Sequence, residues 1–201
     1  LVVYDPSLDI VVDVLPCEDG YTQERALLGD VLQCVRPGEL WVGDRNFCVL
    51  AFLLGLRARG ACFILREPEQ FRFRPLGPMR EVGVSEAGAV AEQAIEVLDE
   101  AGEGVALRRV RVRLKTPTRE GESEIYLLTN LPAEVKALTV AALYRKRWTL
   151  EIVFTQMTKT DVLALGAERD HIPDFHFTVG DHHSINEQLH QGTLLLEGCA
   201  C

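Results

Sequence analysis

Two short apolar runs, Leu40-Trp41-Val42 and Ala61–Leu65, bracket a helix-length apolar segment, Val49–Arg59. Neither run alternates with polar residues, so each reads as a strand buried in a sheet. A strand, a helix and a second strand of this kind predict an α/β core. Gly60 supplies a stop after the helix, and Gly43-Asp44-Arg45-Asn46 breaks the first run. Upstream, Leu1–Tyr4 and Ile10–Leu15 read as strands. Thr22 is placed to cap a helix running to about Gln33. The opening reads as a strand cut from a larger fold.

After Leu65 the pattern changes. Glu67–Met79 is rich in Pro, Arg and Phe and has no helical period, and Ala87–Leu98 predicts a short helix. Val105–Lys115 alternates cleanly, with Val110, Val112 and Leu114 on one side and Arg109, Arg111, Arg113 and Lys115 on the other. Glu124–Thr129 is its expected antiparallel partner. Residues 67–130 therefore read as a β-rich insertion between a first core part, 1–66, and a helical region, 131–159. From Ala133 to about Lys159, Leu143, Leu150, Val153, Phe154 and Met157 gather on one helical face. Tyr144, Arg147 and Glu151 share the opposite one.

Residues 160–201 differ from the rest. They hold all five histidines and seven acids against the single base Arg169, a large part of the net charge of −9. They read as an atypical tail, a frameshifted or disordered extension. A net negative charge taken alone argues against a nucleic-acid partner. No apolar run approaches the roughly 20 residues that span a bilayer. The six cysteines contain no Cys-x-x-Cys pair and read as reduced structural thiols.

Four groups of residues could carry chemistry. Asp44 stands where a buried strand stops, the position at which α/β sheets gather ligands; it could hold a divalent cation or cap the helix that follows. Arg147 and Tyr144 could bind phosphate while Glu151 ligates a metal, or Arg147 and Glu151 could form an ordinary surface pair at i,i+4 spacing. The face made by Arg109, Arg111, Arg113 and Lys115 could track a phosphate backbone or simply be solvated. Asp181-His182-His183 and the other tail histidines are metal-capable but match no regular zinc spacing.

Taken together, Leu40-Trp41-Val42-Gly43-Asp44-Arg45-Asn46-Phe47-Cys48, the insertion, Leu127-Leu128-Thr129-Asn130-Leu131, and Leu143-Tyr144-Arg145-Lys146-Arg147-Trp148-Thr149-Leu150-Glu151-Ile152-Val153-Phe154 resemble a known family. It is the DDE transposases of bacterial insertion sequences, in the insertion-sequence family four group with a Tyr-Arg-Glu-Lys signature. The resemblance covers residues 1–159. It implies an RNase H-like mixed sheet flanked by helices, with the β-rich insertion before the last catalytic helix. It implies DNA transposition, in which phosphodiester hydrolysis at a transposon end is followed by strand transfer. Asp44 matches the second acid of the family's Asp-Asp-Glu set and Glu151 the Glu; together these acids bind two divalent ions, usually Mg²⁺. Tyr144 and Arg147 match the family's contacts to DNA phosphate. The implied partners are transposon-end and target DNA and a second copy of the chain, with no membrane. The implied location is the bacterial cytoplasm, associated with the nucleoid.

The sequence departs from that pattern at three places, one being that the family continues with more helix after the signature Lys and this chain does not. The family's first Asp lies on a strand ahead of the two that open this chain, and no residue matches it. Thr158 stands where the signature Lys belongs, with Lys159 one step on. The chain is accordingly expected to be inactive as it stands. Two other readings are a non-catalytic remnant that binds DNA or a transposase, and a different RNase H-like nuclease.

Overall fold

A computed structural model describes residues 2–5, 10–14, 24–99, 101–118, 120–156 and 193–197. Side chains are described except at 2, 4, 5, 10–14, 24, 148–156 and 193–197. The described strands form one sheet. Its order begins β2 (Ile10–Val14), β1 (Val2–Asp5), β10 (Thr193–Glu197), β3 (Leu40–Gly43) and β4 (Cys62–Arg66). It continues β9 (Glu124–Thr129), β8 (Gly104–Leu114), β7 (Gly88–Leu98) and β5 (Arg74–Pro75), with β6 (Arg80–Val84) also paired to β7. The β10–β3 and β3–β4 pairs are parallel and the rest antiparallel. Among the described residues three α-helices accompany the sheet: α1 (Leu28–Cys34), α2 (Leu50–Ala58) and α3 (Ala137–Gln156). This is the mixed α/β sheet flanked by helices that the RNase H-like expectation describes.

The lack of alternation in the central strands has a direct cause. Successive residues serve opposite faces of the sheet, and both faces are covered. Trp41, Phe63, Leu65 and Leu128 pack with Leu28 and Val31 of α1 and Phe52, Leu53 and Leu56 of α2. Their neighbours Leu40, Val42, Ile64 and Leu127 pack with Val140, Ala141, Leu143 and Tyr144 of α3. Truncating a residue such as Leu56, which has no exposed surface, costs about 2–5 kcal/mol in a core of this kind. Gly60, at φ 72°, turns the chain out of α2 in a conformation that side chains resist.

The insertion differs from expectation in one element. Ala87–Leu98 predicts a helix, but Gly88–Leu98 is a strand paired with β8 along its whole length. Alanine and glutamate favour helix, yet the eleven-residue pairing and the burial of Val90, Ile95 and Val97 override that preference. Arg108 fastens this hairpin to the start of α3. Its guanidinium donates to the carbonyls of Leu131, Pro132 and Val135 at 3.1, 2.7 and 2.8 Å.

Asn130 clamps β4 to the end of β9. Its Oδ1 accepts from the Phe63 N–H at 2.8 Å, and its Nδ2 donates to the Ala61 carbonyl at 2.9 Å. The neighbouring Thr129 hydroxyl donates to the Phe63 carbonyl at 2.5 Å and accepts from the Leu131 N–H at 3.1 Å. The motif Leu127–Leu131 is therefore a structural clasp.

The tail contributes β10, an element its composition did not announce. β10 lies between β1 and β3 and joins the β1–β2 hairpin to the rest of the sheet. Its register sets Leu196 beside Gly43, so Glu197 and Asp44 each follow a paired residue at the same end of adjacent parallel strands. The proposed tail histidines lie outside the described residues. No helix among the described residues is long and apolar enough to cross a membrane.

Candidate functional site

Parallel strands β3 and β4 run side by side with Gly43 beside Leu65, and their C-terminal ends deliver Asp44 and Arg66 to the same end of the central sheet. Asp44 opens a 3-10 turn at Arg45–Phe47, yet its side chain makes no capping hydrogen bond. The capping alternative is thereby set aside. Asp44 Oδ1 is buried and accepts no hydrogen bond from the described residues. The nearest cation described for it is Arg66 Nη1, at 3.8 Å.

From the other side, α3 packs against β3, β6, β7 and β8. It brings Tyr144 and Arg147 to the same place. Tyr144 is 1 % exposed and Arg147 3 %, so neither belongs to a solvated surface pair. The Arg147 guanidinium lies 5.4 Å from the centre of the Tyr144 ring, within cation–π range. Burial pushes the Tyr144 phenol up to about 12; Arg147 opposes the shift, the Asp44 carboxylate adds to it, and Arg66 opposes it. Arg66 thus stands beside Asp44, and Arg147 beside Tyr144, whose phenol responds to the charges of Arg147, Asp44 and Arg66.

A third element borders these residues. The hairpin loop between β8 and β9 carries Glu120 and Glu122. Glu122 pairs with Arg66 and lies 3.4 Å from Arg45, while Glu120 Oε2 is 2.5 Å from Arg45 Nη2. Thr118 shapes the loop: its hydroxyl donates to the Glu122 carboxylate at 3.4 Å and accepts from the Glu122 N–H at 3.1 Å. Burial works to lower the Arg45 pKa, but the Glu120 and Glu122 carboxylates outweigh it and the net shift is upward.

The remaining sequence candidates fall elsewhere. Glu151 stands on α3 four residues beyond Arg147, where only the backbone is described, and Lys159 lies outside the described residues. Arg109, Arg111 and Arg113 share a face of β8, but each meets an acid. Arg109 forks onto Glu67 at 2.5 and 2.9 Å and lies over the rings of Phe73 and Tyr126 at 4.8 and 3.9 Å. Arg111 pairs with Glu81, and Arg113 with Glu124 at 2.9 Å. Lys115 is exposed at the end of the same face. Sequence reasoning did not single out Arg66, Glu120 or Glu122. Arg66 ends its strand as Asp44 follows β3, a parity that could have flagged it; no signal in the chain pairs 66 with 122.

A buried carboxylate oxygen that accepts no hydrogen bond, at the end of a parallel strand, suits a divalent cation. Asp44 meets that description. Among the described residues no group of three or more His, Cys, Asp or Glu side chains could hold a metal ion. Asp44 therefore has the chemistry of a single cation ligand, with no further acid, histidine or cysteine grouped with it among the described side chains. A family model described as Transposase DDE domain matches residues 1–170, running past the described end of α3. No curated protein matches the chain.

Proposed function

We propose, from the premise that this chain belongs to the transposase DDE domain family, that the end of the central sheet around Asp44 is its DNA-transposition site. The family acts on DNA and generally uses divalent metal ions. The observation that carries the assignment is the Asp44 carboxylate oxygen, buried without a hydrogen bond among the described residues at the end of a parallel strand pair. In this reading Asp44 and Glu151 hold the cation, Mg²⁺ in the family. When bound, such ions stabilise the attacking and leaving oxygens of a phosphodiester displacement.

The chain's own residues supply the remainder. Arg147, held against Tyr144, contributes positive potential where the phosphate charge would lie. Tyr144 stays protonated at neutral pH and keeps a hydroxyl at the site. Lys159 and the face of Arg109, Arg111, Arg113 and Lys115 are secondary DNA contacts. Those of Arg109, Arg111 and Arg113 form only if DNA displaces Glu67, Glu81 and Glu124. Only two residues match the three acids of the family, so this chain by itself binds DNA without completing strand transfer. It belongs to the Tyr-Arg-Glu-Lys insertion-sequence group and pairs with a second copy on DNA.

Calorimetric titration with Mn²⁺ tests the core of this proposal. Asp44→Asn and Glu151→Gln are each expected to weaken binding at least tenfold. Unchanged affinity in both variants would remove the site. Incubation with supercoiled DNA and Mg²⁺ tests the inactivity, which efficient strand cleavage would overturn.

A further inference from the structure

We propose that the β8–β9 hairpin loop is an electrostatic latch, in which Glu120 and Glu122 occupy two arginines, Arg45 and Arg66, that bind DNA phosphates once the latch lets go. The proposal rests on the DNA-transposition reading of the same site and adds its regulation. Arg66 lies 3.8 Å from Asp44 at the ends of adjacent parallel strands, and Arg45 follows Asp44 in the chain, so the two arginines that Glu122 bridges border the Asp44 carboxylate. Guanidinium forks match phosphate oxygens as well as they match carboxylates. The loop's acids therefore stand where backbone phosphates would.

The geometry separates this latch from the chain's other ion pairs. Arg109 is fixed by two bonds to Glu67, whose side chain is only 8 % exposed, and is stacked on two rings. It is part of the packing. Arg45 and Glu120 are 34 % and 60 % exposed. Exposed pairs of that kind contribute about 0–1 kcal/mol and weaken with salt. A multivalent anion can displace them. Arg66 is more enclosed, at 11 %, and lies between Glu122 and Asp44. Its guanidinium can stay in place while the loop acid leaves, and the phosphate then takes the position of Glu122. The loop sits at a hairpin end between β8 and β9, where it can withdraw without breaking either ladder.

The test uses fluorescence anisotropy of a labelled DNA duplex with the full chain. Glu120→Gln combined with Glu122→Gln is expected to tighten binding at least fivefold. A control that removes the same charge from the exposed acids Glu103 and Glu134 is expected to change it less than twofold. Arg45→Gln, added to the latch-free variant, is expected to reverse the gain and to flatten the log–log salt dependence by about one unit, the signature of one lost phosphate contact. Each variant's thermal unfolding is followed in parallel, and Arg66→Lys checks that point charge without the fork recovers only part of the affinity. Equal gains in the loop and control variants, or a gain that survives Arg45→Gln, would overturn the latch. DNA binding that is measurable but indifferent to the loop overturns the latch alone. Absence of binding in every variant overturns the DNA reading with it.

Discussion

Tyr144 makes the stability of this fold sensitive to alkali in a way that one substitution can isolate. In the unfolded chain its phenol titrates near 10.0, and in the folded chain near 12. Loss of water around a side chain only 1 % exposed is the main cause. Between those values the folded state keeps a proton that the unfolded state releases, so stability is intact below pH 10 and falls as pH rises toward 12. Two units at about 1.4 kcal/mol each set a ceiling of roughly 3 kcal/mol, of which roughly 1 kcal/mol is lost between pH 9.5 and 11. Urea unfolding followed by tryptophan fluorescence, at steps between pH 8.5 and 11, measures the loss in the parent and in Tyr144→Phe. Tyr126, whose phenol is also raised, is present in both proteins and cancels. The expected result is a parent curve that falls by roughly 1 kcal/mol more than the variant's over that range. Parallel curves would refute the reasoning, whatever the variant's absolute stability.

Asn130→Ala removes two bonds to the backbone of β4 and leaves the Phe63 N–H without its acceptor; a loss of about 1–3 kcal/mol in urea unfolding is expected, with Asn130→Asp intermediate. Gly88→Ala places a Cβ 1.8 Å from the Arg113 carbonyl oxygen at φ 155°, so the β7–β8 hairpin must distort; the backbone conformation alone costs roughly 1–3 kcal/mol, and calorimetric melting is expected to fall accordingly. Burial raises the Cys48 thiol far above the usual range, with Glu67 adding to the shift. Iodoacetamide followed by peptide mapping is expected to label exposed Cys34 in the native chain and Cys48 only after unfolding.

The central architecture was readable because it follows from local pattern. Leu40–Val42 and Ala61–Leu65 lack alternation, and the sheet covers both of their faces. The β8 alternation was also legible, since Val110 and Val112 pack inward while Arg111 and Arg113 do not. β7 was not legible, because Ala89, Ala91 and Ala94 favour a helix until a partner strand is known. At the site, Asp44, Tyr144 and Arg147 were named from the chain; the fold sets the Arg147 guanidinium 5.4 Å from the Tyr144 ring and leaves Asp44 at the end of β3. The loop acids were invisible for a different reason. Arg66 and Glu122 are 56 residues apart, and only the folding back of the insertion brings them together. The basic face illustrates the converse: alternation gives its direction, but the acids opposite it come from β6, β9 and the residue that follows β4.

The position of β10 has a temporal consequence. During synthesis β1 and β2 emerge ahead of β3 and β4, and β10, the strand that must lie between β1 and β3, follows β3 by about 150 residues. Until then the facing borders of β1 and β3 carry unsatisfied backbone groups, the kind of surface that recruits neighbouring chains. The β1–β2 hairpin must wait for this distant strand before it can be knitted in. Nascent molecules of this protein therefore pass through an interval of vulnerability whose length is set by elongation speed rather than by intrinsic folding rate.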